Sequence, residues 1–133
     1  MAQSAQSAYG IGRLVATSSD ETTALVREAL KAEGFGVLCE IDVQATMKEK
    51  LGIEHGKYVI LGAGNPPLAR RALTAEPQIG LMLPCNVIVY ETDDGTQVSA
   101  VDPQVMLGMV KNPDLEDVAA QVRARLVKVL ERI

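Results

Sequence analysis

The sequence predicts an α+β fold in a single domain, with a mostly antiparallel sheet, two main helices packed on one face and short extra helices. Three observations favour this fold class. Short apolar segments of strand length are separated by Gly, Pro, Asn and Asp turn signals. Two longer stretches repeat apolar residues at helical spacing. A chain of 133 residues also has the ordinary length of one domain.

The first elements are a tail, a strand and a capped helix. Residues 1–7 show no apolar pattern, so we expect a disordered tail there and the α+β domain at residues 8–133. Residues 9–17 predict a strand interrupted by glycines. Ser18 and Glu21 then form a capping box, and Gly34 suits the left-handed end of the helix that follows.

A strand, a short helix and a second strand are predicted next. In residues 35–42 the alternation predicts that Val37, Cys39 and Ile41 share a face, so Cys39 is expected to be a small buried hydrophobe. Asp42 can cap a short helix at residues 43–51. After a loop that contains the only histidine, residues 58–63 predict another strand.

The middle of the chain predicts a helix and a hairpin. Asn65 is a suitable cap and Pro66 a suitable first residue for a helix that extends to about residue 75. Residues 79–83 are apolar and short, and Pro84 prevents their continuation as a central strand. The turn signal at residues 93–96 then joins strands at 86–92 and 97–101 in an antiparallel hairpin.

The C-terminal region predicts the main helix on the sheet. Residues 105–110 are interpreted as a short apolar link, and Asn112 with Pro113 starts the last helix. This helix carries one continuous apolar stripe: Leu115, Val118, Ala119, Val122, Leu126, Val129, Leu130 and Ile133.

Composition narrows the function classes. A net charge of -4 gives no basic surface for nucleic acid, and the apolar runs are too short to cross a membrane. Two cysteines without an apolar leader favour reduced thiols in a cytoplasmic, soluble protein. His55 has no second ligand at metal spacing, so we expect a surface residue, and the sequence indicates no metal and no cofactor.

Two strand-end junctions form the candidate site. One is Leu83-Pro84-Cys85-Asn86, and the other is Gly64-Asn65-Pro66. If they meet, these residues line a pocket for binding, with the amides at the Asn65 helix start available to a small anionic or polar ligand. Capping alone also explains Asn65 and Pro66, whereas Pro-Cys-Asn has no comparable architectural explanation.

Cys85 is the candidate catalytic residue, because a thiolate near a helix start can act as a nucleophile. The alternative is a packed, unreactive thiol. Asp42 is a further binding candidate at a strand end, and a paired acid/base role with Asp102 is a minor alternative, since turn or cap formation explains both residues.

Four segments resemble one bacterial family. They are GFGVLCEIDV at residues 34–43, KEKLG at 48–52, LGAGNP at 61–66 and LPCNV at 83–87. In this order they resemble the domain of unknown function 302 from about residue 8 to residue 133. The resemblance implies a β-α-β(4)-α fold with a curved sheet, similar to one repeat of the TATA-binding protein, and a homodimer.

The resemblance also shows one departure and implies no established function. Members of the family often carry a Cys before the Asn-Pro, where this chain has Gly64. A mechanism with two thiols would therefore need Cys39 or a partner subunit. Two hypotheses follow: a homodimeric domain that binds a small ligand or partner near Asn65 and Cys85-Asn86, and a thiol-dependent enzyme or redox sensor that uses Cys85.

Overall fold

Over residues 7–133 the fold is one antiparallel sheet of five strands with helices packed against it, as the sequence predicts. The computed structural model describes residues 7–133, so the predicted tail lies outside the described residues except for Ser7. The strands are β1 (Gly10–Val15), β2 (Gly36–Asp42), β3 (Tyr58–Gly64), β4 (Cys85–Thr92) and β5 (Gly95–Val101). Their order across the sheet is β1-β5-β4-β3-β2, with every neighbouring pair antiparallel.

In the part of the chain that the structure describes, five α-helices and two 3₁₀ turns connect and cover the strands. The helices are α1 (Ser19–Ala32), α2 (Val43–Leu51), α3 (Pro66–Ala75), α4 (Pro103–Gly108) and α5 (Glu116–Glu131). The 3₁₀ turns are Pro77–Met82 and Pro113–Leu115. Within the described residues, every helix is too short or too polar to span a bilayer.

Side-chain caps set the helix starts at the predicted positions. The Ser18 hydroxyl accepts a hydrogen bond from the Glu21 N–H at 3.2 Å, and Asp42 accepts one from Ala45 at 3.0 Å. Gly34 has a φ of 85°, the left-handed conformation that a glycine adopts without strain. The capping residues that the sequence predicted therefore determine both ends of α1 and the start of α2.

The core lies between the sheet and the helices α1 and α5. The side chains of α5 that form the predicted stripe are buried, which confirms that this helix covers the sheet. The most deeply buried apolar residues of this layer are Val26, Leu30, Leu61, Val87, Val89, Val98, Leu126 and Val129.

Two local predictions are wrong. The segment interpreted as an apolar link contains α4, because the Asp102 side chain accepts from the Gln104 N–H at 2.9 Å and Pro103 supplies a first helical residue without an N–H. In β2, Val37 lies opposite Ala63 while Cys39 lies opposite the adjacent Gly62. This β-bulge places Val37 on the other face from Cys39 and Ile41, and Cys39 is exposed rather than buried.

Candidate functional site

The two Asn-containing junctions lie side by side at one end of the sheet. Ala63, near the end of β3, is the antiparallel partner of Cys85, the first residue of β4. Cys85 follows a cis peptide bond between Leu83 and Pro84. The register of β3 and β4 therefore brings Gly64 and Asn65 next to Cys85.

A cavity of about 310 Å³ opens between this end of the sheet and the helices α3, α4 and α5. Seventeen residues line it, and none of them carries a charge. They are Phe35, Leu38, Ala63, Gly64, Asn65, Leu68, Ala69, Ala72, Leu73, Leu83, Pro84, Cys85, Pro103, Met106, Leu107, Val118 and Val122. Asn65 contributes the one side-chain amide to an otherwise apolar wall.

The start of α3 has no free amide for an anion. Pro66 and Pro67 have no backbone N–H, and the Leu68 N–H donates to the Asn65 Oδ1 at 3.3 Å. The Ala69 N–H donates to the Asn65 carbonyl at 2.8 Å. The donors that make other helix starts attractive to anions are therefore missing or occupied here.

Burial controls the chemistry of the Cys85 thiol. The side chain is buried, and desolvation of the charged form raises its pKa from the ordinary value of 9.0 to about 11. A helix N-terminus that lowers a thiol pKa would require free amides near it, which α3 lacks. At neutral pH the thiol is therefore protonated and a weak nucleophile.

The other predicted site residues lie away from the cavity. Pro66 is exposed on the outside of α3 and is not part of the lining. Asn86 is exposed, on the opposite face of β4 from Cys85. Asp42 caps α2 at the far end of β2. The structure thus brings together Gly64, Asn65 and Cys85 but not Pro66, Asn86 or Asp42.

The remaining candidates for acid/base chemistry or metal binding are Asp102 and His55, and their contacts are explained by local structure. The Asp102 side chain caps α4 and forms an ion pair with Arg123 at 3.2 Å. His55 is exposed in its loop, with its Nδ1 2.8 Å from the Gly56 carbonyl oxygen. No cluster of three or more His, Cys, Asp or Glu side chains suitable for a metal occurs in residues 7–133.

Sequence reasoning missed the part of the wall that the helices contribute. Met106 and Leu107 belong to the segment interpreted as a link, and Val118 and Val122 were assigned only to the stripe of the last helix. The capping pattern of Asp102 and Pro103 is the one signal that indicates α4 from the sequence.

The fold and cavity define a single α+β domain with an apolar pocket at one end of its sheet. Comparison with known proteins gives the family. The family model for the domain of unknown function DUF302 matches residues 12–133, so the chain belongs to this family.

A solved structure supports the same assignment. The chain is similar to the crystal structure of an uncharacterized conserved protein, DUF302, from Bacillus stearothermophilus, with a TM-score of 0.88 and 34% identity. The match covers 95% of this chain and 98% of that one. No curated protein matches the chain significantly.

Proposed function

We propose that this domain binds a small, uncharged, apolar molecule in the cavity beside Asn65 and Cys85. The uncharged lining is the observation that carries the proposal. A charged ligand would lose its hydration there without gaining a counter-ion, whereas an apolar ligand gains about 25 cal/mol for each Å² removed from water. A volume of about 310 Å³ lies at the small end of the range for ligand pockets.

The lining changes the expected ligand class. The sequence favoured a small anionic or polar ligand at the start of α3. Because the first two residues of α3 are prolines and the next two amides are occupied, that position offers an anion little. The proposed ligand is therefore apolar, with Asn65 as its single polar neighbour.

The thiol-dependent alternative has weaker support. Cys85 borders the cavity, but burial raises its pKa to about 11 and the single histidine of the chain lies in an exposed loop. Labelling of the native protein with iodoacetamide at pH 7.5 separates the two hypotheses. We expect Cys85 to react only after denaturation, and rapid modification of Cys85 in the native protein would favour the thiol chemistry.

The direct test is titration with N-phenyl-1-naphthylamine, an uncharged dye whose fluorescence rises in apolar surroundings. We expect the native protein to bind the dye saturably at one site. Ala69→Leu places a larger side chain on the cavity wall and should abolish this signal. Ala120→Leu makes the same change at an exposed position on α5 and is the matched control.

If Ala69→Leu binds the dye as tightly as Ala120→Leu does, the dye binds outside the cavity and the cavity is rejected as the binding site. Absence of saturable binding of both this dye and indole, a smaller uncharged probe, to the native protein would reject the proposed ligand class. Urea unfolding of both variants checks that each is folded before titration.

We also propose that the domain forms a homodimer through the face of the sheet that points away from α1 and α5. The charged residues of the strands project from the face that is covered by α1 and α5; they are Arg13, Glu40, Asp42 and Glu91. There the Arg13 side chain donates a hydrogen bond to the Leu130 carbonyl, and Glu40 forms an ion pair with Arg27. The away face instead carries isoleucines and a stacked pair, Tyr58 and Tyr90, with ring centroids 5.1 Å apart. An uncharged face with apolar side chains suits burial against a second copy.

Light scattering at micromolar concentration tests the dimer. We expect twice the mass of the 14.2 kDa chain, and Ile88→Lys, which places a charge on the away face, should give monomers. Ala24→Lys on an exposed position of α1 is the control and should remain dimeric. A native monomer would reject the dimer. The cytoplasmic location predicted from the sequence stays a prediction.

A further inference from the structure

The β-bulge in β2 gives Leu38 a position that ordinary strand alternation would not. Val37 and Cys39 lie opposite two adjacent residues of β3, Ala63 and Gly62, so Leu38 is the extra residue with no partner in the ladder. A bulge of this kind bends the strand and redirects a side chain. Here it sends Leu38 to the end of the sheet where the cavity opens.

Leu38 lies directly over Gly64. A Cβ atom added to Gly64 would lie 2.8 Å from the Leu38 Cδ1 and 3.5 Å from its Cγ. Both residues belong to the cavity lining. Leu38 therefore fills the space that a side chain at position 64 would take, and the glycine leaves room for it.

Leu38 is the most exposed side chain of the cavity wall. Leu68, Ala72, Cys85, Leu107 and Val118 are buried, Leu73 is 43% exposed and Leu38 is 68% exposed. A leucine with solvent on one side and the cavity on the other can change rotamer without disturbing packed neighbours. It is thus the lining side chain with the most freedom to move.

We propose that Leu38 is the specificity-determining residue of the cavity, and that its side chain at the mouth sets the largest apolar molecule that enters. This inference rests on the proposed binding of apolar molecules. It predicts that changes at position 38 alter the binding of a large probe more than that of a small probe.

The test compares indole, a small uncharged probe, with N-phenyl-1-naphthylamine, a larger one. We expect Leu38→Trp to weaken binding of the large dye about tenfold, because overfilling the mouth excludes it, and to leave indole binding within about twofold of the native protein. Leu38→Ala should tighten binding of the large dye and leave indole unchanged.

Leu25→Trp and Leu25→Ala are the matched controls. Leu25 is a leucine of α1 that is 45% exposed and does not line the cavity, so these changes should leave both probes unaffected. If the native protein binds neither probe, the proposed function is wrong. If both probes bind and the Leu38 variants behave like the Leu25 variants, the role of Leu38 is wrong.

A double-mutant cycle tests the placement of Leu38 when Leu38→Trp does not fold. Gly64→Ala should lower the midpoint of urea unfolding in the native background, since its methyl group would meet the Leu38 side chain. The same change should have a smaller effect in Leu38→Ala. Equal effects in the two backgrounds would show that Leu38 does not occupy the space over Gly64 and would overturn the inference.

Discussion

The two halves of α5 carry one apolar stripe but face different surroundings. In the second half, Leu126 and Val129 are fully buried in the core and do not border the cavity. In the first half, Val118 and Val122 are also buried, yet they form part of the cavity wall. Burial from solvent is therefore similar along the helix, while the packing around the side chains is not.

Small side chains explain the difference. At the cavity end the sheet and α3 present Ala63, Gly64, Ala69 and Ala72, which leave space between the layers. At the other end, buried valines and leucines from β4, β5 and α1 fill the space between the layers. An unfilled space in a core lowers stability, because the atoms that line it lack contacts on one side. A cavity retained in this way is consistent with a binding role.

Replacing a valine by alanine in each half of α5 should give the largest difference in the free energy of unfolding. Val129→Ala should lower the free energy of unfolding by about 2.5 kcal/mol, since it removes methyl groups from a fully packed position. Val122→Ala, seven residues earlier, should cost about 1 kcal/mol, because its methyl groups already face a void. Urea unfolding of the two variants measures both values. Equal losses would indicate that the two ends are equally packed.

The Cys85 thiol at the cavity end should also make the stability of the fold decrease at alkaline pH. Well below pH 9 the Cys85 thiol is protonated in both the folded and the unfolded chain, so it contributes no pH dependence there. Between pH 9 and about 11 the unfolded chain loses this proton while the folded chain, with its raised pKa, keeps it. Stability should therefore fall as the pH rises, by about 2 kcal/mol from this group.

Cys85→Ala isolates the contribution of the thiol. Unfolding by urea at pH 8 and at pH 10.5 should show a smaller loss of stability in Cys85→Ala than in the native protein. Burial also raises the pKa of Tyr58, but this tyrosine titrates in both proteins and cancels in the comparison. Parallel pH profiles would mean that the Cys85 thiol is not desolvated.

The smallest expected change in stability concerns Asn65, which both caps α3 and lines the cavity. Asn65→Ala removes the cap of α3 and should lower stability by about 1 kcal/mol. Asn65→Ser should restore most of this loss, because serine caps helices about as well as asparagine. Thermal unfolding of the pair measures the difference, and an equally unstable serine variant would show that capping is not the main role of Asn65.

Local signals made most of the fold predictable. The Asn65-Pro66 cap, the turn at residues 93–96 and the stripe on α5 each act within a few residues of sequence. The errors arise where a longer-range arrangement decides the result. The bulge at Leu38 depends on how β2 pairs with β3, and no alternation within β2 alone reveals it. Cys39 was assigned to the wrong environment for this reason.

The candidate site was predictable only in part. Adjacent strand ends bring Gly64, Asn65 and Cys85 together, which the two similar junctions suggested. The side of β4 from which Asn86 projects follows from alternation and places it away from Cys85. The apolar character of the cavity depends on α4 and α5, whose packing over these junctions requires the tertiary structure. The anion site was predicted because the helix start was read from Asn65 alone, and the missing N–H groups of Pro66 and Pro67 were not taken into account.

Methyl-resolved NMR with N-phenyl-1-naphthylamine tests the central claim most directly, because it reports on both ends of the core in one experiment. The account predicts that the dye shifts methyl signals of Leu68, Ala72 and Val118, which line the cavity, and leaves those of Val89, Val98 and Leu126 unchanged. Shifts confined to methyl groups outside the cavity, or absent from every methyl group while the dye is present in excess, would contradict the binding of an apolar molecule at this end of the sheet.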